Sequence, residues 1–223
     1  MPRWAHGIRG RARVQVGLVA GLVLAVPSPS GAQQVDSLPF RAGQWGAEFT
    51  AADFSGVGAL RFTSSRSAWL IDVQGRFTRQ SGDSDSPSRY EIVSDSDALQ
   101  LRLGWRRYGT LAPRVVRHVG VGVLGRYASS EQGPGAFSIS APFSFESTRS
   151  DYSAGAFAEV GAQWLITSNL GLGATWSANV QAGRANLERL SATGFSGPER
   201  TRTGVNTRSA TLGAFAIRGT VYF

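Results

Sequence analysis

From residue 43 onward this chain alternates apolar and polar residues in long, strict runs, and that pattern leaves few folds open. A period of two is the signature of a β-strand with different surroundings on its two faces. Eight such segments can be read, at about 43–53, 57–63, 67–80, 89–107, 114–128, 151–165, 169–184 and 208–223. Several exceed the ~5–6 residues of an ordinary soluble strand and reach the ~9–11 that a tilted transmembrane strand needs. In "SNLGLGATWSANVQA", Leu170, Leu172, Ala174, Trp176, Ala178 and Val180 share one face, with Gly171, Gly173, Thr175, Ser177, Asn179 and Gln181 opposite. Trp69, Ile71, Val73 and Phe77 oppose Asp72, Gln74, Arg76 and Thr78 in the same way, and Leu99, Leu101, Leu103 and Trp105 oppose Gln100, Arg102 and Arg106. Ala154, Ala156, Ala158, Val160, Ala162 and Trp164 oppose Glu159 and Gln163. The 28 glycines suit strands that approach closely rather than long helices.

Alternation alone does not say which face points inward. Two asymmetries favour an apolar exterior. The polar face is built largely of Gly, Ser, Thr and Asn between single charges, as a cramped lumen requires. The aromatics gather at strand ends on the apolar face. Trp45, Trp69, Trp105 and Trp164, with Phe223, fall at one rim of an up-and-down arrangement. A belt of aromatics at one level is what a bilayer interface selects. Connections alternate too: "SSRS", "GTLAP" and "TSN" are short, while "SGDSDSPS", the segment from Ser129 to Ser150, and the segment from Ala185 to Thr207 are long. "FSGV", between the first two strands, is short where a long one is expected, which leaves their register open.

The first 32 residues read separately. Arg3, Arg9, Arg11 and Arg13 precede the 13-residue apolar run Val14–Val26, and "PSPSGA" follows. Basic, then apolar, then small is a secretory leader, here expected to be cleaved after Ala32. The run is too short for a membrane helix of ~20 residues. The domain division is therefore a signal peptide at 1–32 and a barrel at 33–223. Removing four arginines takes the formal charge from +8 to +4, and nothing points to nucleic acid.

The whole mature chain resembles the small outer-membrane β-barrel proteins, the class of the outer membrane protein A transmembrane domain and the opacity-type adhesins. The resemblance rests on architecture: leader, eight alternating strands, alternately long loops and a terminal aromatic. It implies an all-β fold, a closed antiparallel eight-stranded up-and-down transmembrane barrel with a polar interior and an apolar lipid-facing exterior. It implies that Phe223, with Val221, Ile217 and Phe215 at alternate positions and Gly219 interrupting, resembles the address read by the barrel-insertion machinery. The last strand is also expected to pair with the first, because an open edge cannot face lipid.

Candidate sites follow from the inward face. It collects Glu48, Arg61, Asp72, Arg76, Arg102, Arg106, Glu159 and Arg218, five Arg against three acids. An eight-stranded barrel is just wide enough for side chains to fill, so these charges must pair. A salt-bridge plug is the expected role, and a narrow anion-preferring pore is the alternative. Arg184, Arg189, Arg200, Arg202 and Arg208 sit in or beside the last outer loop, where guanidinium forks suit lipopolysaccharide phosphates. A lipid-modifying enzyme would need His118, the one histidine of the mature chain, which has no nearby Ser and lacks the His-x-Ser-Asn signature of such enzymes. Asp83, Asp85, Asp95 and Asp97 are read as solvated loop acids rather than a Ca²⁺ site. One histidine and no cysteine make no typical zinc site. Phe137, Phe143 and Phe145 mark a contact surface or a lid.

The reading is thus a non-enzymatic, monomeric outer-membrane protein with no cofactor and no metal, serving envelope structure or surface contact through its outer loops. A soluble lipocalin-like binder, with the faces reversed, is the remaining alternative.

Overall fold

A computed structural model of the chain describes residues 38–83, 91–134, 143–193 and 196–223; the leader, Asp85 and Phe137 lie outside the described residues. Eight strands follow one another: β1 (Trp45–Ala51), β2 (Ser55–Ser64), β3 (Ser67–Asp83), β4 (Glu91–Ala112), β5 (Val115–Pro134), β6 (Phe143–Leu165), β7 (Leu170–Thr193) and β8 (Ser196–Tyr222). Each pairs antiparallel with the next, and β1 pairs with β8, so the sheet closes into a barrel. The backbones of Asp83, Phe143 and Phe145 lie in β3 and β6; their side chains fall outside the described residues.

The apolar face is the outer one. Trp69 is 60% exposed and Leu101 43%, with Ile71, Val73, Leu99, Leu103, Val121, Val123, Val160, Leu172 and Val180 exposed beside them. Their sequence neighbours Asp72, Gln74, Arg102, Glu159, Thr175 and Gln181 are buried. A soluble binder with an apolar lumen would show the reverse. The lumen is not uniformly polar, however. At the end that holds Phe223 and the short turns, Phe40, Leu60, Phe62, Ala68, Leu70, Tyr108, Val116, Leu165 and Tyr222 form a buried cluster. Phe40, from the segment preceding β1, stacks on Phe62 at 4.5 Å and meets Tyr222 at 5.0 Å and Tyr108 at 5.2 Å.

This cluster fixes the phase of β2 and corrects one expectation. Leu60 and Phe62 point inward, so Arg61 points outward, is exposed, and lies over the Trp45 ring at 5.3 Å. The register open in the sequence is Trp45↔Arg61 through Thr50↔Gly56, joined by Ala52–Phe54.

The other difference is length. β4 runs on to Ala112, β6 begins at Phe143 rather than near 151, β7 continues to Thr193, and β8 starts at Ser196 rather than near 208. Most of the expected long loops are therefore paired strand, as in Glu131↔Thr148 and Leu190↔Arg200. Alternation vanishes there because both faces of a projecting hairpin meet water, so no side chain need be apolar.

Strand lengths are uneven in consequence. β1 has 7 residues and β8 has 27. At a rise of ~3.3 Å per residue and a tilt of ~40°, β1 climbs about 17 Å, less than an apolar band of ~25 Å. Ring closure uses only Trp45–Ala51 against Ile217–Phe223. Above that level, among the described residues, β8 from Ser196 to Ala216 and β3 from Arg76 to Asp83 have no strand partner on the sides facing β1 and β2. The expected pairing of the last strand with the first is present, at the base of the wall.

Candidate functional site

Three elements could carry function: the charged layer in the lumen, the aromatic belt, and the outer wall of the β7–β8 hairpin. The charged layer lies above the aromatic cluster. Register brings its members together: Asp72 and Arg102 are direct cross-strand partners, while Arg106 and Glu159 both flank Gly120 on β5. A β-carbon at Gly120 would sit 2.9 Å from the Glu159 Cγ and 3.1 Å from the Arg106 Cγ, so glycine there opens the path for their contact. Glu159 accepts from three arginines: from Arg102 Nη2 at 2.7 Å, Arg106 Nε at 2.5 Å and Arg218 Nη2 at 3.3 Å. Glu48 accepts from Arg106 Nη1 at 2.6 Å and Nη2 at 3.0 Å, and from Arg218 Nη1. Asp72 accepts from Gln74 Nε2 at 2.6 Å and meets Arg102 Nη1 at 3.5 Å. The Arg102 guanidinium lies 3.9 Å from the centre of the Phe157 ring. Arg106 and Asp72 are each only 1% exposed.

Six of the eight charges read as inward from the sequence thus form one knot. Arg61 is outside. Arg76 is half-buried and pairs with Asp53 at 2.9 Å, above the knot, with its guanidinium 5.2 Å from the Phe54 ring. The knot therefore holds three acids (Glu48, Asp72, Glu159) against three arginines (Arg102, Arg106, Arg218), and the expected excess of Arg disappears. None of these buried charges stands alone, and removing a partner from such a set would cost several kcal/mol; Asp72 Oδ1 and Arg218 Nε are buried without a hydrogen-bond partner of their own. Together the aromatic cluster and the knot fill two successive levels of the lumen. Phe40 and Phe54 were missed in the sequence because they lie outside the alternating runs.

The belt residues share one level. Phe223 and Trp45 exchange backbone hydrogen bonds of 3.0 and 3.1 Å, and cross-strand register continues from Trp45 through Arg61 and Trp69 to Trp105. Trp164 pairs with Val115 and Leu172 next to the short β6–β7 turn, at the same end. A second aromatic level, absent from the sequence reading, stands at the other edge of the apolar band, where Tyr127 and Tyr152 pair with ring centres 4.9 Å apart.

His118 is buried, its Nε2 lies 3.3 Å from the Thr175 hydroxyl, and its ring lies 5.8 Å from that of Tyr108. Among the described residues, no group of acids, His or Cys is arranged to hold a metal ion. Asp95 lies 3.6 Å from Arg79, and Asp95 and Asp97 belong to β4 rather than to a loop.

The five arginines of the last hairpin separate by face. Arg200 and Arg202 both pair with Glu188, at 2.9 and 3.1 Å. Arg189 is on the opposite face from Arg184, and Arg208 lies beside Ala182 on the outer face.

Solved structures with this architecture can be named. The outer membrane protein OprG from Pseudomonas aeruginosa aligns with a TM-score of 0.52 at 13% identity, over 84% of this chain and 99% of that one. A major outer membrane protein from Thermus thermophilus aligns with a TM-score of 0.50 at 14% identity, over 81% and 98%. The fold is that of the small eight-stranded outer-membrane barrels. At these identities the likeness carries the fold alone. No protein-family model and no curated protein matches the chain.

Proposed function

We propose that this chain is a non-enzymatic outer-membrane barrel that serves envelope structure or surface contact through its projecting hairpins. The observation that carries the reading is the filled lumen inside an apolar wall. The aromatic cluster around Phe40 and the neutral knot around Glu159 occupy successive levels, and both are almost fully buried. Such an interior suits a rigid support for the hairpins β3–β4, β5–β6 and β7–β8 better than a path for solutes. His118 faces a threonine and a tyrosine, an environment that suits a packed ring better than a catalytic base. In this reading the leader directs export, the last strand ending at Phe223 engages the insertion machinery, and outer-leaflet lipid and lipopolysaccharide are the nearest partners.

Planar-bilayer recording tests the reading against the pore. Purified protein is expected to leave the baseline silent under conditions where a general porin gives steps. Steady steps with chloride preference would replace this reading with the narrow anion-preferring pore.

A further inference from the structure

We infer that the outer wall carries a built site for a phosphorylated lipid of the outer leaflet, with one acyl chain in a groove and its phosphate on Arg184 and Arg208. The inference rests on the outer-membrane reading above.

The groove is a feature of the register. Leu101, Gly125, Ala154 and Ala182 form one continuous cross-strand row over β4, β5, β6 and β7. The next row up is Leu99, Tyr127, Tyr152 and Arg184. Small residues in the lower row, beneath the paired tyrosine rings, leave a depression of about 550 Å³ on the outside of the barrel. A β-carbon at Gly125 would meet nothing within 4 Å, so the space is open outward. Its lining is mostly apolar, with Arg126 and Ser153 the polar members, and it lies on the outer face, which suits an acyl chain.

Each row carries a cation at this side. Arg208 on β8 ends the lower row beside Ala182, and Arg184 stands in the upper row between Tyr152 and Asn206. Arg184 reaches across β8, where a β-carbon at Gly204 would sit 2.7 Å from its Nη2, so glycine at 204 leaves room for the guanidinium. Among the described residues neither Arg184 nor Arg208 has a carboxylate partner, whereas Arg200 and Arg202 share Glu188. Two uncompensated guanidiniums at the tyrosine level of an apolar band are the complement of a lipid phosphate, and the fork geometry of Arg suits its oxygens. The site lies toward the hairpin end, away from Phe223 and the short turns, which assigns it to the outer leaflet and its lipid to lipid A.

Native mass spectrometry of the refolded full barrel tests this with bis-phosphorylated lipid A, dephosphorylated lipid A and phosphatidylglycerol as probes. Wild type is expected to retain bis-phosphorylated lipid A in preference to both others. Arg184→Gln with Arg208→Gln is expected to lower retention at least ~10-fold, the factor for about one charge-assisted contact. Gly125→Leu, which fills the groove and leaves both cations, is expected to lower retention of the intact lipid as well. Arg200→Gln is the control and should change it less than ~2-fold. Equal retention of the dephosphorylated lipid, equal retention of phosphatidylglycerol, or indifference to both the arginine and the glycine substitutions would each overturn the site. Each variant is first checked for a heat-dependent gel shift. If even wild type fails to shift or to enter vesicles, the outer-membrane reading fails and the site falls with it.

Discussion

Glu159→Ala is expected to destabilise the folded barrel by about 3–5 kcal/mol, the range for breaking a buried ion pair by removing one partner. Glu159 accepts from Arg102, Arg106 and Arg218 together. Without it, two acids face three buried guanidiniums, and Arg102 keeps only Asp72, at 3.5 Å, as an ionic partner. Urea titration of the protein refolded into lipid vesicles, followed by gel mobility, measures the change. Glu159→Gln separates charge from volume, since it keeps the shape and one acceptor; most of the loss should persist. Arg61→Ala serves as a comparison, because Arg61 stands outside the knot over Trp45. A loss below about 1 kcal/mol for Glu159→Ala would mean that the knot is wetted rather than buried.

Leu101→Arg is expected to cost about 2–4 kcal/mol in the same assay, the value for Arg near the bilayer midplane on a barrel's lipid face. Leu101 is exposed and lies two residues from each of Leu99 and Leu103 in the middle of the apolar band. The same exchange on a water-facing strand would change stability little, because an exposed arginine there is solvated. The experiment thus separates a lipid-facing wall from a merely exposed one. Trp69→Arg, in the belt itself, should cost less, since the penalty falls toward the interface.

The barrel was legible in the sequence because alternation reports two environments, and here they differ sharply over the apolar band. Leu170 to Gln181, apart from the buried Ala178, and Leu99 to Arg106 show the face assignment residue by residue. Legibility failed where that contrast fails. Beyond Tyr152 and Arg184 the hairpins carry only scattered apolar residues such as Leu187, Leu190 and Val205 among polar ones, so the continuation of β6, β7 and β8 left no clear periodic trace. Near Leu60, Arg61 and Phe62 the contrast inverts: the lumen is aromatic there and the outside carries a cation, so phase alone sent Arg61 inward. The charged knot was mostly readable because each member sits on the polar parity of a clear strand. Its neutrality was not readable, because that depends on Arg76 reaching Asp53 in the β1–β2 connection. The lipid groove was invisible, since it is a coincidence of small residues on three strands that only register brings together.

The most direct test of the account is spin-label accessibility in bilayers, for which the chain is convenient because it has no cysteine. Single cysteines at Leu101, Val123 and Ala156 report the outer face, and those at Gln74, Gln100 and Leu124 report the lumen. The account predicts high oxygen and low nickel-chelate accessibility at the first three, as lipid contact requires, and low oxygen accessibility at the last three. Nickel-chelate access at Leu101, Val123 and Ala156 would contradict it, because the apolar wall would then face water.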